Sequence, residues 1–468
     1  MKKKKVYFIG IAGKTMGTLA KAFRDMGWQV SGSDHKGVYP PISTYLKEHD
    51  ISYTEGYREE NVPRDANLVI VGRSALMVEE NNPEYLTAKK IGCPVLSYPE
   101  ALRDFLIKKN SIVIAGTYGK TTISALISLI LIKAGLNPSY MIGGVPLNLN
   151  DGIKITDSLY SVVEGDESPA LFETDPPKFL FYRPRYLLIT ATKHDHPEIY
   201  KTKESYLNAF IDLVKLLPKD GLLVYNFDSV DSKVIQISPA RAVSYSLNNS
   251  KADYFVNQIK RTGEETIFNI NNARISTSLL GRHNLENICA AYCFSREIGI
   301  DEKHILEGIK IFRGIKTRLE FLGKIGERFF YWDFAQHPEK VKSSLEALRE
   351  HYHRARIICV FDPAATALKY KESLNWYPRA FDSADQIIVG KVGFLKNIAK
   401  EKRVSGSDIV KAISKTNKNV FYEPIDEKLI DYLLTKTKPG DVIIFMSSGG
   451  LRFVNLINKT TDSFKINY

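Results

Sequence analysis

Cysteine is scarce in this chain. Cys93, Cys289, Cys293 and Cys359 are the four in 468 residues, and their spacing matches no metal-binding pattern. Cys289 and Cys293 stand four apart on a predicted helix, which places both in a core. A reducing, cytoplasmic setting is therefore expected. Long hydrophobic runs are also missing. No stretch of eighteen apolar residues occurs, so no membrane-spanning helix is expected. The start "MKKKKVYFIGIAG" is basic and then apolar, but its apolar part is short and runs into a Gly-rich turn. That reads as a first β-strand and not as a signal peptide. Internal repeats and low-complexity tracts are absent. So is any basic-aromatic motif of an RNA-binding module. The net charge of +12 comes from scattered lysines, so no nucleic-acid partner is expected, and a polyanionic small substrate is the next reading.

What is present is ordinary globular material, 44% hydrophobic and 25% charged, enough for several cores. Residues 1–108 alternate short β runs ("KVYFIGI", "QVSGSD", "LVIVG", "PVLSY") with helical stretches, the pattern of a doubly wound parallel sheet. Residues 109–322 open on a second strand and turn, and residues 323–468 hold "RFFYWDF", "RIICVFDP", "DQIIVG" and "DVIIFMSSGG" with helices between. The expectation is an α/β protein of three domains: an N-terminal Rossmann-like sheet, a central P-loop-type ATPase domain and a C-terminal Rossmann-like domain. A monomer is expected.

The second segment begins "IVIAGTYGKTTISALISLILIKAG". A strand enters a turn holding Gly116, Thr117, Gly119, Lys120, Thr121 and Thr122, and a helix leaves it. Such a turn aims backbone N–H groups and a helix N-terminus at an anion. Gly116 and Gly119 allow close approach. Lys120 can reach the β- and γ-phosphates, and the Thr121 hydroxyl can meet Mg²⁺. The general phosphate-loop pattern is matched only from Gly119 onward, since Ile114 stands where it wants a glycine.

"GTYGKTT" resembles the ATP loop of the Mur ligases, the ATP-dependent amide-bond ligases of bacterial peptidoglycan synthesis. Four further blocks match that family in order. "EGDES" from Glu164 resembles its acidic strand end, which implies a metal-binding role for Glu167. "KHDHPEIY" from Lys193 implies the same for His196. "GRHNLENICAA" resembles the block lining the adenine and γ-phosphate sites, with His283, Asn284 and Asn287. "TRLEFLG…YWDFAQHP" resembles the junction into the third domain, with Arg318, Glu320, Asp333 and His337. The resemblance implies ATP and Mg²⁺, with Lys120, His196 and Arg318 catalytic, Asp333 at the ATP site, and Thr121, Glu167 and His196 on the metal. The chemistry is coherent without the name. Making an amide from a carboxylate in water is uphill. ATP can activate the carboxylate as an acyl phosphate that an amine then attacks. Such a site needs a phosphate cradle, hard metal ligands and cations.

"GIAGKTMGTLA" carries Gly10, Gly13 and Gly17, a departure from the dinucleotide fingerprint that still suits a pyrophosphate at a helix start. Ser33 and Asp34 end the next strand, where such folds meet a sugar. This block resembles the uridine-diphosphate domain of two branches of the family. One adds L-alanine to UDP-N-acetylmuramate, and the other joins the recycled tripeptide L-alanyl-γ-D-glutamyl-meso-diaminopimelate to it. Tyr39-Pro40-Pro41 and Gly143-Gly144-Val145-Pro146 favour the peptide-joining branch, while "DES" at Asp166 looks like the alanine-adding form. The leading expectation is tripeptide ligation, with L-alanine as the alternative. Lys369, Ser447 and Arg452 are the candidate acceptor residues, with Ser448 and Gly449 in a turn around a carboxylate. Ala191, Lys193, Pro169, Gln336, Trp332 and Ala364 depart from both branches. They keep a non-catalytic nucleotide-binding protein open, and a nicotinamide dehydrogenase is a third class.

Overall fold

The structure is a computed structural model that describes residues 3–39, 42–196, 199–262, 265–393, 399–447 and 450–467. Three sheets organise the chain. The first has five parallel strands in the sequence order 3-2-1-4-5. Its central strand, Lys5–Ile9, is buried from Val6 onward. That continuous burial is typical of a parallel strand covered on both faces. The order reverses between Lys5–Ile9 and Leu68–Val71. Open α/β sheets bind ligands at such a switch point, beyond the strands' C-terminal ends.

The second sheet has ten strands. Asn110–Ala115 lies between Tyr186–Ile189 and Tyr160–Glu164, parallel to both. Three C-terminal strand ends therefore meet on one edge, carrying residues 116–119, 164–168 and 190–196. The helix Lys120–Lys133 leaves the first of these loops, and Thr121 through Leu131 are all buried. A helix apolar on every side belongs inside a domain. Its buried Ile and Leu side chains, at on the order of 1.5–3 kcal/mol each, hold the loop's position firmly.

The first two sheets belong to one compact unit, Met1–Lys260 with Ile267–Ser278 and His283–Gly314. Within it, Lys21 of the first sheet's domain pairs with Asp151 at 2.6 Å, and the Tyr45 hydroxyl donates to the same carboxylate at 3.1 Å. The other unit contains Ile315–Tyr468 and holds a six-stranded sheet. Only its first strand, Glu320–Ile325, runs antiparallel to its neighbour. The three-sheet α/β architecture agrees with the sequence expectation. All four cysteines are free thiols, and three of them are buried. Among the described residues, no helix is long and apolar enough to cross a membrane.

Candidate active site

The turn after Asn110–Ala115 is a loop that only glycine fits at two places. Gly116 has φ 117° and Gly119 has φ 74°. A Cβ on Gly116 would be driven into Thr190 Oγ1 and would lie 2.8 Å from the backbone nitrogens of Thr190 and Ala191. On Gly119 it would be driven into Asn287 Oδ1. Neighbouring loops tie the turn down. Thr117 donates from its backbone N–H to Ala191 O at 3.1 Å and from its hydroxyl to Lys193 O at 2.8 Å. Thr190 donates its hydroxyl to Tyr118 O at 2.5 Å. Lys193, out of place beside the family pattern, thus contributes its carbonyl.

Lys120 donates to Gly116 O at 2.7 Å and to Glu167 Oε2 at 2.9 Å. Glu167 is fully buried, so its charge is offset by this ammonium. His196 Nε2 lies 3.7 Å from Glu167 Oε1. Glu167, Asp195 and His196 each offer one ligand atom, and these atoms lie within 4.8 Å of one another. The expected metal pair Glu167 and His196 is therefore brought together, and Asp195 joins it. Thr121, the third expected ligand, instead donates its hydroxyl to Glu164 Oε1 at 2.8 Å. Glu164 also takes the Gly143 N–H at 2.6 Å. Thr122 is buried. Asn287 is buried against Gly119, and its side-chain amide donates to Asn284 at 3.3 Å. His283 is exposed at the same helix start.

A cavity of about 200 Å³ adjoins Lys120. Thr15 and Tyr98 line it from the first sheet's domain, and Glu164, Asp166, Lys178 and Tyr182 from the second's. Lys178 donates to Asp166 at 2.7 Å and to Ser168 Oγ at 2.9 Å. Burial alone would raise the Asp166 carboxyl. The Lys178 charge and hydrogen bond, with help from Ser168, outweigh it and hold the group below the usual carboxylate range.

At the first sheet, the Gly10 and Ile11 N–H groups both donate to Ser33 O at 2.9 Å. Gly13 precedes the helix Lys14–Asp25 as its N-cap. Three expected sugar-nucleotide residues take other roles. Ser33 is buried, with its hydroxyl given to the buried Glu84. Burial pushes the Glu84 carboxyl up despite that bond and those from Asn61 and the Arg58 N–H. Asp34 accepts the Ala12 N–H at 2.6 Å and the His35 N–H at 2.8 Å, so it braces the turn from behind. Gly17 lies inside the helix, packed against the next one, where a Cβ would displace the end of the Ile42 side chain and come within 3.2 Å of Ile11 O. Pro40 and Pro41 lie outside the described residues.

In the C-terminal unit, Asp333 is buried and accepts N–H groups from Ala335 at 2.6 Å and Leu319 at 2.7 Å. Both of its oxygens thus brace the chain around Arg318. Arg318 itself is exposed between Thr317 and Leu319, at φ 60° and 46°. Arg452, a candidate cation for the acceptor, pairs with Asp362 and with Asp426. Ser447 is buried with an unpartnered hydroxyl. Lys369 is half-buried, and Ser448 and Gly449 lie outside the described residues.

Burial pushes the Asp362 carboxyl up to about 6, although Arg452 opposes it. An unfolded aspartate titrates near about 3.9. From this group, stability is fully present below about pH 4 and is lost as pH rises through about 6. Asp362→Asn removes a buried charge at neutral pH and leaves Arg452 paired with Asp426. The variant is expected to gain stability relative to wild type at pH 7, by up to about 3 kcal/mol, and much less at pH 4. Chemical denaturation at both pH values checks this, and an equal difference at both would refute it.

A phosphate-type loop opening a buried helix, set beside a carboxylate–imidazole cluster in a three-sheet α/β chain, is the arrangement of a nucleotide-phosphate site. Comparison with known proteins narrows the class. Residues 5–110 match the Mur ligase family catalytic domain, 114–295 the Mur ligase middle domain and 317–449 the Mur ligase glutamate ligase domain. The chain belongs to the Mur ligase family. It is 30% identical to a UDP-N-acetylmuramate–L-alanine ligase of Pelotomaculum thermopropionicum, over 99% of both chains. The Thermotoga maritima UDP-N-acetylmuramate–alanine ligase structure superposes with TM-score 0.77 at 21% identity, covering 99% of this chain and 100% of that one. A Neisseria UDP-N-acetylmuramate:L-alanyl-γ-D-glutamyl-meso-diaminopimelate ligase structure gives TM-score 0.59 at 26% identity, covering 67% of this chain and 100% of that one.

Sequence reasoning missed Glu164, Asp195 and Lys178. Glu164 and Asp195 sit inside blocks already singled out, beside the residues chosen. Lys178 carried no signal, because its tie to Asp166 appears only when the intervening loop folds back.

Proposed function

We propose that this protein uses ATP to join L-alanine to the carboxylate of UDP-N-acetylmuramate. What carries the reading is the match along 99% of both chains to a relative named for that reaction. It replaces tripeptide ligation, the leading expectation from sequence. A carboxylate oxygen attacks the γ-phosphorus, and ADP leaves with the electrons of the broken P–O bond. The amine nitrogen then attacks the acyl carbon, loses a proton and displaces phosphate. Lys120, now held by Glu167, is the cation for the transferred group. The backbone N–H groups of the loop and the start of helix Lys120–Lys133 cradle the other phosphates. Glu167, Asp195 and His196 are hard-oxygen and imidazole donors that fit Mg²⁺, with the Thr121 hydroxyl as a further ligand. Bound there, the ion would offset phosphate charge.

A second reading is supported by the 26% identity to the peptide ligase structure, and by the Gly143-Gly144-Val145-Pro146 stretch. Phosphate release with UDP-N-acetylmuramate, ATP and each amine decides between them. L-Alanine is expected to be the faster substrate. A faster tripeptide would install the second reading. Silence with both would leave a nucleotide-binding protein without ligase activity.

A further inference from the structure

The proposed metal donors reach the site on two separate loops. Glu167 follows the strand Tyr160–Glu164, and Asp195 and His196 follow Tyr186–Ile189. The strand Asn110–Ala115 lies between these two, so the phosphate loop leaves the sheet between the two donor loops. An ion held from both sides needs their separation fixed. The groups behind the donors set that separation.

Tyr200 is such a group. Its buried hydroxyl donates to the backbone carbonyl of Glu167 at 2.6 Å. Its N–H donates to the backbone carbonyl of His196 at 2.8 Å, and the Ile199 N–H donates to the same oxygen at 2.9 Å. Its own carbonyl accepts from His194 Nε2 at 2.8 Å. One residue therefore bonds to the main chain of a donor on each loop. His196 has φ 55°, a left-handed conformation that residues other than glycine rarely adopt. The two N–H groups on its carbonyl hold it there. The Tyr200 ring packs edge-on against Tyr206 at 5.1 Å, and Tyr206 packs against Phe210 at 5.1 Å. That packing fixes where the Tyr200 hydroxyl sits.

We propose that Tyr200 is a positioning residue for the metal, holding the Glu167 loop against the Asp195–His196 loop at the spacing that Mg²⁺ requires. The inference rests on those three side chains being the metal donors, and Tyr200 acts through the backbone of Glu167 and His196. Mg²⁺ demands a near-ideal octahedron of ligands, whereas Ca²⁺ accepts a looser and more variable set. Two donor loops held at a fixed distance therefore favour Mg²⁺. Releasing them costs Mg²⁺ more than it costs Ca²⁺.

Tyr200→Phe removes only the hydroxyl. Titration calorimetry of Mg²⁺ and, separately, of Ca²⁺ into the full chain without nucleotide tests the role. In Tyr200→Phe the Mg²⁺ affinity is expected to fall by about tenfold or more, and the Ca²⁺ affinity by less, so the preference for Mg²⁺ drops. Tyr206→Phe is the control. It takes the hydroxyl from the neighbouring ring, which is paired with Thr117 Oγ1 at 3.4 Å, and it should bind both ions as wild type does. A merely structural role for Tyr200 would lower the unfolding temperature and weaken both ions alike. Unchanged Mg²⁺ affinity in Tyr200→Phe, an equal fall for the two ions, or the same fall in Tyr206→Phe overturns the proposal. His196→Ala separates this from a failure of the metal reading. If it binds Mg²⁺ as wild type does, or if wild type binds none, the donor set is wrong and the positioning role falls with it.

Discussion

Lys120→Ala is expected to abolish ligation, with a loss of about a thousandfold or more in kcat, the scale of removing one charge-stabilising group from a preorganised site. The structure adds a complication. Lys120 is also the partner of Glu167, which is 1% exposed, at 2.9 Å. Removing it leaves a buried carboxylate unpaired. For a fully buried pair that costs about 3–5 kcal/mol. Here the cost is smaller, because the Lys120 side chain still reaches solvent at 17% exposure. Lost activity could therefore come from a weakened fold. The pair Lys120→Met with Glu167→Gln, which removes both charges together, isolates the effect on the fold, and Glu167→Gln alone reports the loss of the proposed metal ligand. That double variant should recover the wild-type unfolding temperature and stay inactive in single-turnover ligation. A Lys120→Ala enzyme with near wild-type turnover would end the assignment of this loop to ATP.

The phosphate loop was legible because its chemistry is local. Two glycines, a lysine and a buried helix follow one another in the chain, and each limits what the next can be. The acidic block was half legible. "EGDES" marks a strand end rich in carboxylates, but Glu164, Asp166 and Glu167 each take a different partner: Thr121, Lys178 and Lys120. Those partners lie on the helix Lys120–Lys133 and in the turn Lys178–Tyr182, outside the block, so spacing within it cannot assign them. The pairing of Arg452 was not legible for a related reason. A sequence shows a charge but not its neutralisation by Asp362, ninety residues away. Ser33 and Asp34 were placed at the correct strand end. The Ser33 carbonyl and the Asp34 side chain brace the turn, because a switch-point loop needs its backbone held before it can hold a ligand. The joining of the first two sheets into one unit through Lys21, Tyr45 and Asp151 was not visible at all, since those contacts span more than a hundred residues.

Gly116→Ala is expected to damage both fold and ATP use, and Gly135→Ala provides its control. Both glycines have positive φ, 117° and 76°. An L-residue held in a sparsely populated region costs about 1–3 kcal/mol, and that part applies to both. The surroundings differ. A Cβ on Gly135 meets nothing within 4 Å, whereas on Gly116 it collides with Thr190 Oγ1 and two backbone nitrogens. Thr190 cannot step aside, because its N–H is bonded to Ala115 O at 3.0 Å at the end of the parallel ladder. The loop must move instead, at about 1–3 kcal/mol more for overpacking. Moving it breaks the Thr117 bonds to Ala191 and Lys193, and those bonds fix the segment that carries Asp195 and His196. Gly116→Ala should therefore lower the unfolding temperature more than Gly135→Ala does, and raise the KM for ATP by about tenfold or more. That factor corresponds to about 1.4 kcal/mol of lost binding. Gly135→Ala should leave the KM for ATP alone. If the two variants unfold together and bind ATP alike, positive φ is the whole requirement at Gly116, and its close approach to Thr190 has no part in holding the nucleotide.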